Sequence, residues 1–377
     1  MADDKERVIA VLSLSGGNDG LNTVIPYSDP HYKDYRPTIG VQEDQVLRLN
    51  DDVGFHPSMV ELKQMFDEGK VAVIQGAGYP NPSLSHFRSM DIWHTCEPDK
   101  IAAEGWLGRA IKEMDPNGEN VLEGVNIGRG LPRALMMPGV PVASVGNLAT
   151  YGVLTGISGE EERTEALEVF SRMYAPAIGS GPVMDYLRET GTGALQGADL
   201  LKVAPEKYSS TVEYGNFPIA QGMRDVAQVH LAELGTRILY NTSPYNAFDT
   251  HSNEATLHSG LWSQVSPTVA DFFQDMKEHN RGEEVLLFMF SEFGRRAQDN
   301  GGGTDHGTGG VCFVIGDHVK GGLYGEYPSL KPEDLEDGNL RYKVDFRSVY
   351  TEMLEGWLGL DAKPIVGGTY EKLGFLN

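Results

Sequence analysis

Apolar residues along the chain gather into short unbroken runs, set apart by stretches in which they recur every three or four positions. Val8–Leu14, Val71–Ile74, Val285–Phe290 and Val311–Ile315 are the clearest runs. They lack polar alternation, as expected of strands covered on both faces of a parallel sheet. Pro57–Glu68 instead places Met59, Val60, Leu62, Met65 and Phe66 on a helical period, with Gly69 as its stop. Glu160–Tyr174 and Trp262–Lys277 also read as helices. Phe217–Tyr240 reads as a helical stretch running into a strand at Arg237–Tyr240, and Pro138–Val145 as a strand. Runs alternating with helical patterns predict an α/β fold, a mostly parallel sheet with helices on both faces. The 377 residues fit a single domain, with the less regular stretch at about 100–215 as a cap or subdomain.

Open α/β sheets hold ligands beyond the carboxyl ends of their strands, so the residues following each run are the candidates for chemistry. Ser15-Gly16-Gly17-Asn18-Asp19-Gly20 ends the first run and projects Asp19, which would otherwise be an ordinary turn residue. Val285–Phe290 breaks into Ser291-Glu292-Phe293-Gly294-Arg295-Arg296, followed by Gly301-Gly302-Gly303-Thr304-Asp305-His306. Asp305 and His306 are adjacent, so only an irregular backbone aims both at one ion, and the glycines permit that. Asp249, His251 and His258 lie within ten residues, a cluster that suits a divalent metal of the Zn, Mn or Fe type. Pro80-Asn81-Pro82 leads into a helix start at Ser83 and Ser85. Either serine is an N-cap or a nucleophile, because backbone N–H groups there favour an anion. His86 is structural or a substrate contact. Arg88, Arg295 and Arg296 are candidates to grip anionic oxygens bidentately.

Composition removes several classes. A formal charge of −23 argues against nucleic acid and against an anionic membrane surface. No run approaches ~18 apolar residues, so no membrane span is expected. The acidic start MADDKER leads straight into a strand, which makes the chain as given cytoplasmic, or exported if a leader has been removed. Cys96 and Cys312 are too few for a disulfide framework or a structural zinc site. No G-x-G-x-x-G follows a strand, and no G-x-S-x-G elbow is present.

The segments LSGGNDGLNTVIPYSDPHY, YPNPSLSHFRSMDIW, GWLGRA, AFDTHSN, FSEFGRR, GGTDHGTGG, GGLYGEYPSL and VDFRSVY occur in this order between residues 12 and 350. The chain resembles the DUF1501 family of uncharacterised bacterial proteins, usually grouped with the alkaline phosphatase and sulfatase-like superfamily. The resemblance implies a three-layer α/β/α sandwich of the alkaline-phosphatase type, with metal at the carboxyl edge of the sheet. It implies Asp19, Asp249, His251 (with His258 as the alternative to it) and His306 as metal ligands and Ser83 or Ser85 as nucleophile; Glu292 and Asp305 complete the expected ligand set. Phosphatase-like members carry an Asp-His pair where this chain has Ser291-Glu292-Phe293, which puts a full two-metal site in question. The x-Pro-x-Arg that follows a sulfatase nucleophile is absent. The expected activity is metal-dependent hydrolysis or transfer of a small phosphate- or sulfate-like ester. Zn or Mn is the expected ion, with Ca or Mg as alternatives. The rival is a non-catalytic binding or assembly protein with an incomplete site. Oligomerisation is left open.

Overall fold

The computed structural model describes residues 7–148 and 201–377, with isolated positions between them. Its main sheet has nine strands: β1 (Val8–Ser13), β2 (Val71–Gly78), β3 (Gly124–Ile127), β4 (Ala143–Val145), β5 (Ile238–Thr242), β6 (Val285–Phe290), β7 (Gly310–Ile315), β8 (Gly322–Tyr324) and β9 (Val344–Asp345). Their spatial order is β8-β2-β7-β6-β1-β5-β3-β4, with β9 also paired to β2. A separate three-stranded sheet joins Val24–Ile25, Gly54–Phe55 and Leu47–Arg48.

β1 is the middle of the sheet because its sequence is apolar on both faces. It pairs in parallel with β6, Ile9 opposite Leu286, and with β5, Ile9 opposite Ile238. Val8, Ala10 and Leu12 join one core, together with Leu287 and Met289 of β6. Ile9 and Val11 join the other, with Leu286, Phe288 and Phe290. Successive side chains of a strand point to opposite faces, so one apolar run feeds two cores. The first core is completed by helices Val60–Asp67, Pro218–Leu231 and Glu254–Glu278. The second is completed by His86–Thr95, Trp106–Met114 and Phe346–Glu352. The expected three-layer α/β/α sandwich is present.

The sheet is parallel except at β7, which runs antiparallel to both β6 and β2. This matters for the site. Because β7 starts where β6 ends, residues 291–309 leave and re-enter the sheet at the same carboxyl edge. The helix expected at Trp262–Lys277 is longer and begins at Glu254. Its buried stripe includes Glu254 and His258 before Trp262 and Val265, so the apolar period does not show in the first turns. In the stretch at about 100–215, the described part up to 148 supplies one helix and strands β3 and β4 to the main layers. The helix expected at Glu160–Tyr174 lies largely outside the described residues. No described helix is long and apolar enough to cross a membrane.

Phe288 is fully buried, stacked on Phe290 with ring centroids 5.2 Å apart and edge-on to Tyr350. Phe288→Ala should lower the unfolding free energy by about 3–5 kcal/mol in a denaturant titration. A loss below about 1 kcal/mol would mean that this face of β6 is not packed as described.

Candidate metal centre

Segments from four parts of the chain meet at the carboxyl edge, and glycines let their backbones touch. Gly16, after β1, has φ of +121°, and a Cβ there would stand 2.5 Å from the Asp249 nitrogen. A Cβ on Gly303 would stand 2.3 Å from the Thr250 carbonyl oxygen. Arg295 lies between these segments, fully buried. Its Nε donates to the Gly17 carbonyl at 2.6 Å and its Nη1 to the Thr304 carbonyl at 3.0 Å. Its Nη2 faces the carbonyls of Gly16 and Phe248 and the Asp249 carboxylate, the last at 2.7 Å. Expected as an anion grip, Arg295 has its donors committed inside the protein.

Asp249 is where the imidazoles converge. His251 Nε2 lies 3.0 Å and His306 Nε2 3.2 Å from Asp249 Oδ1, and the two ring nitrogens are 3.0 Å apart. His86 Nε2 approaches Asp249 Oδ2 at 3.4 Å. The opposite nitrogen of each ring is already held. His306 Nδ1 donates to the Leu84 carbonyl at 2.8 Å, which can only accept. His86 Nδ1 is 2.8 Å from Glu292 Oε1, and His251 Nδ1 is 3.3 Å from Asp305 Oδ1. With its Nδ1–H committed to a carbonyl, His306 turns Nε2 towards Asp249, and His251 Nε2 and His86 Nε2 face the same carboxylate. Metal-binding histidines show this outer support on the non-ligating nitrogen. Two imidazole nitrogens 3.0 Å apart are held together by a shared ring proton or by a cation between them. Two ligands at ~2.0–2.1 Å on a tetrahedral ion stand roughly 3.3–3.4 Å apart, close to the separations here. The His86 Nε2 is buried with no hydrogen-bond partner. The donor set of His86, Asp249 and His306 therefore fits a divalent ion.

The residues singled out from sequence divide into those at this point and those behind it. Asp249, His251 and His306 meet there. His86, read from sequence as structural or a substrate contact, joins them as a candidate ligand that the sequence did not single out; its only signal was a position beside the serines at a helix start. Glu292 stands behind His86, its oxygens accepting from Gly16 N–H at 2.9 and 3.1 Å and from Ser291 Oγ at 3.1 Å. Asp305 supports His251 from the exposed side. Asp19 lies elsewhere. It is fully buried, caps the short helix Gly20–Thr23 by accepting from Leu21 N–H, and pairs in a fork with Arg36 at 2.5 and 3.0 Å. His258 is buried beside Asn18 and Trp262 rather than at the cluster. Arg296 takes part through its backbone: its N–H donates to the Asp305 carbonyl and its own carbonyl accepts from Arg36. Arg88 donates to Asp91 and to the carbonyls of Glu97, Pro98 and Lys100.

The serines differ. Ser85, not Ser83, is the N-cap of His86–Thr95, and its side chain makes no capping bond. Ser83 Oγ accepts from Ser85 N–H at 3.3 Å. Ser85 is exposed and, with His86 and Glu292, lines a cavity of about 500 Å³. The first-turn N–H groups of this helix have no partner within the helix itself, as at any helix start.

Charge is set locally. Burial pushes the Asp249 carboxyl up, but Arg295, with His251 and His86, outweighs it and holds the group below its ordinary value. Asp249 therefore stays an anion at neutral pH. Behind the site, burial and the charge of Asp19 push Glu254 up to about 9. Burial also raises Asp19, but Arg36 outweighs it and Asp19 ends well below the carboxylate range. Between these limits the folded chain keeps a proton on Glu254 that the unfolded chain has released above pH ~4.5. Stability contributed by this proton is present at low pH and declines as pH rises towards about 9. Thermal unfolding should show Tm falling between pH 6 and pH 9, and Glu254→Gln, which cannot titrate, should flatten that slope. An equal slope in both proteins would place the titration elsewhere.

The family model described as "Protein of unknown function (DUF1501)" matches residues 5–369. No curated protein matches the chain. Among solved structures, the C-terminal periplasmic domain of EcEptC from Escherichia coli in complex with Zn is similar at TM-score 0.39 and 11% identity, over 84% of this chain and 74% of that one. A protein in the alkaline phosphatase superfamily from Vibrio parahaemolyticus is similar at TM-score 0.39 and 10% identity, over 96% and 69%. Alkaline phosphatase from the Antarctic bacterium TAB5 is similar at TM-score 0.36 and 12% identity, over 84% and 93%. The α/β/α architecture described above stands on the chain's own sheet order and two-sided core.

Proposed function

The chain belongs to the DUF1501 family, and from that premise we propose that it is a metal-dependent hydrolase or transferase acting on a phosphate- or sulfate-like ester. The observation that carries this reading is the convergence of three Nε2 atoms and the Asp249 carboxylate, each imidazole fixed from behind by a carbonyl or carboxylate. His86, Asp249, His251 and His306 would hold one ion, with Zn or Mn best suited to imidazole and carboxylate donors. Such an ion, when bound, supplies Lewis acidity towards an ester oxygen and an attacking hydroxyl.

The remaining work falls to the chain. Glu292 orients His86, and its four hydrogen-bond contacts keep it from swinging into the site. Arg295 keeps Asp249 ionised and in place. Ser85 presents an uncommitted hydroxyl at a helix start, where N–H groups favour the charge of a phosphoryl or sulfuryl oxygen. In the proposed reaction the Ser85 oxygen forms the new ester bond, the substrate alcohol leaves with a proton, and water later releases the acid. Ser83 would hold the loop rather than attack.

Two measurements test this. Purified protein should carry about one transition-metal ion per chain, and His86→Ala or His306→Ala should lose it. On a panel of phosphomonoesters, phosphodiesters and sulfate esters, Ser85→Ala should lower kcat on the order of a thousandfold with metal content and Tm retained, while Ser83→Ala stays within about tenfold. Should wild type turn over a substrate and Ser85→Ala match it, a water is the attacker. Should wild type bind no metal and turn over nothing, a binding or assembly role replaces catalysis.

A further inference from the structure

Three side chains are far more exposed than any other large apolar residue among those described: Ile101 at 81%, Phe87 at 79% and Tyr245 at 74%. They come from three separate parts of the sequence, yet all three line the same 500 Å³ cavity that reaches His86, Ser85 and Glu292. Scattered surface apolar residues need no explanation; a group of them around one polar cleft does. Ligand pockets are typically about 300–1,000 Å³, with apolar walls and few polar groups.

The ester reading sets which end of a substrate goes where. The guanidinium side of the cavity is partly committed inside the protein. Arg88 and Arg133 both donate to Asp91, Arg88 also to three carbonyls, and Arg133 also to the Ala102 carbonyl at 3.2 Å. On the ester reading the anionic head sits where the bond is broken. It belongs at the imidazole end, beside the Ser85 hydroxyl. The part of the substrate left over the exposed apolar trio is then the alcohol portion.

Resting on the ester-cleaving reading above, we infer that this chain selects esters whose alcohol is apolar and ring-bearing, and that Phe87, Ile101 and Tyr245 form the subsite for it. Two of the three are aromatic and offer flat faces to a ring. The subsite adjoins the reacting end without adding to it, so it should set binding and specificity rather than the chemical step.

The test uses zinc-loaded full-length protein and two phosphonates that cannot be hydrolysed, 1-naphthylmethylphosphonate and methylphosphonate, with dissociation constants read by calorimetry. The naphthyl ligand should bind at least about tenfold tighter, a difference of about 1.4 kcal/mol. In the triple variant Phe87→Ser, Ile101→Ser, Tyr245→Ser that ratio should fall towards one. All three positions are exposed, so the variant should fold, and an unchanged Tm confirms it. Equal binding of the two ligands by wild type overturns the subsite and leaves the ester reading intact. Glucose 6-phosphate binding tighter than the naphthyl ligand overturns the apolar assignment. Sedimentation showing a wild-type dimer that the triple variant abolishes makes the patch an interface between copies and overturns the subsite as well. Failure to bind either phosphonate, with no turnover of any ester, brings down both readings.

Discussion

A guanidinium removed from water must have its donors met inside the protein, and the edge of this molecule is arranged around that requirement. Arg295 meets it with carbonyls of Gly16, Gly17, Phe248 and Thr304 and with the Asp249 carboxylate. These groups come from the turn after β1, the loop after β5 and the glycine-rich loop before β7. None of those loops can move alone without leaving a buried charge short of partners, and breaking such a set is strongly destabilising. The same contact keeps Asp249 ionised. Order at the edge and charge at its centre thus have one source.

Topology does the rest. A parallel strand in the place of β7 would have needed a crossover, carrying residues 291–309 away to the other edge. Running antiparallel, β7 lets that loop rise from Phe290, deliver Glu292, Arg295, Asp305 and His306, and return at Gly310. Glycines are needed where these backbones press together. Gly16 against Asp249 and Gly303 against Thr250 leave no room for a Cβ.

Much of this could be read from sequence, and the failures share a cause. The runs that became β1, β2, β6 and β7 were visible because burial on both faces removes every polar position. Asp249, His251 and His306 were visible because Asp-x-His and a histidine in a glycine-rich loop are short-range signals. What stayed hidden depends on partners far along the chain. His86 becomes a candidate ligand only when Glu292, 206 positions away, fixes its ring. Asp19 was expected as a metal ligand, but its carboxylate is paired with Arg36, 17 positions on. Arg295 has the residue type of an anion grip and is instead an internal tie. Glu254 and His258 hid the start of their helix by being polar members of a buried stripe.

The hydrogen bond from His306 to the Leu84 carbonyl joins the helix-entry loop carrying the serines to the loop carrying the last imidazole. The four converging side chains come from three stretches of backbone: His86 from the helix entry, Asp249 and His251 from the loop after β5, and His306 from the glycine-rich loop. A chain with any one stretch loose has no site of reduced quality; for that moment it has no site. Apparent affinity for an ion is then the intrinsic affinity scaled by the fraction of molecules in which all three stretches are closed together. Conversely, an ion that binds only the closed edge draws the fluctuating loops into one cooperative unit. Slow hydrogen exchange would spread outward from the sheet edge into loops that local contacts alone would leave quick to open. In this molecule, readiness to bind is a property of the ensemble.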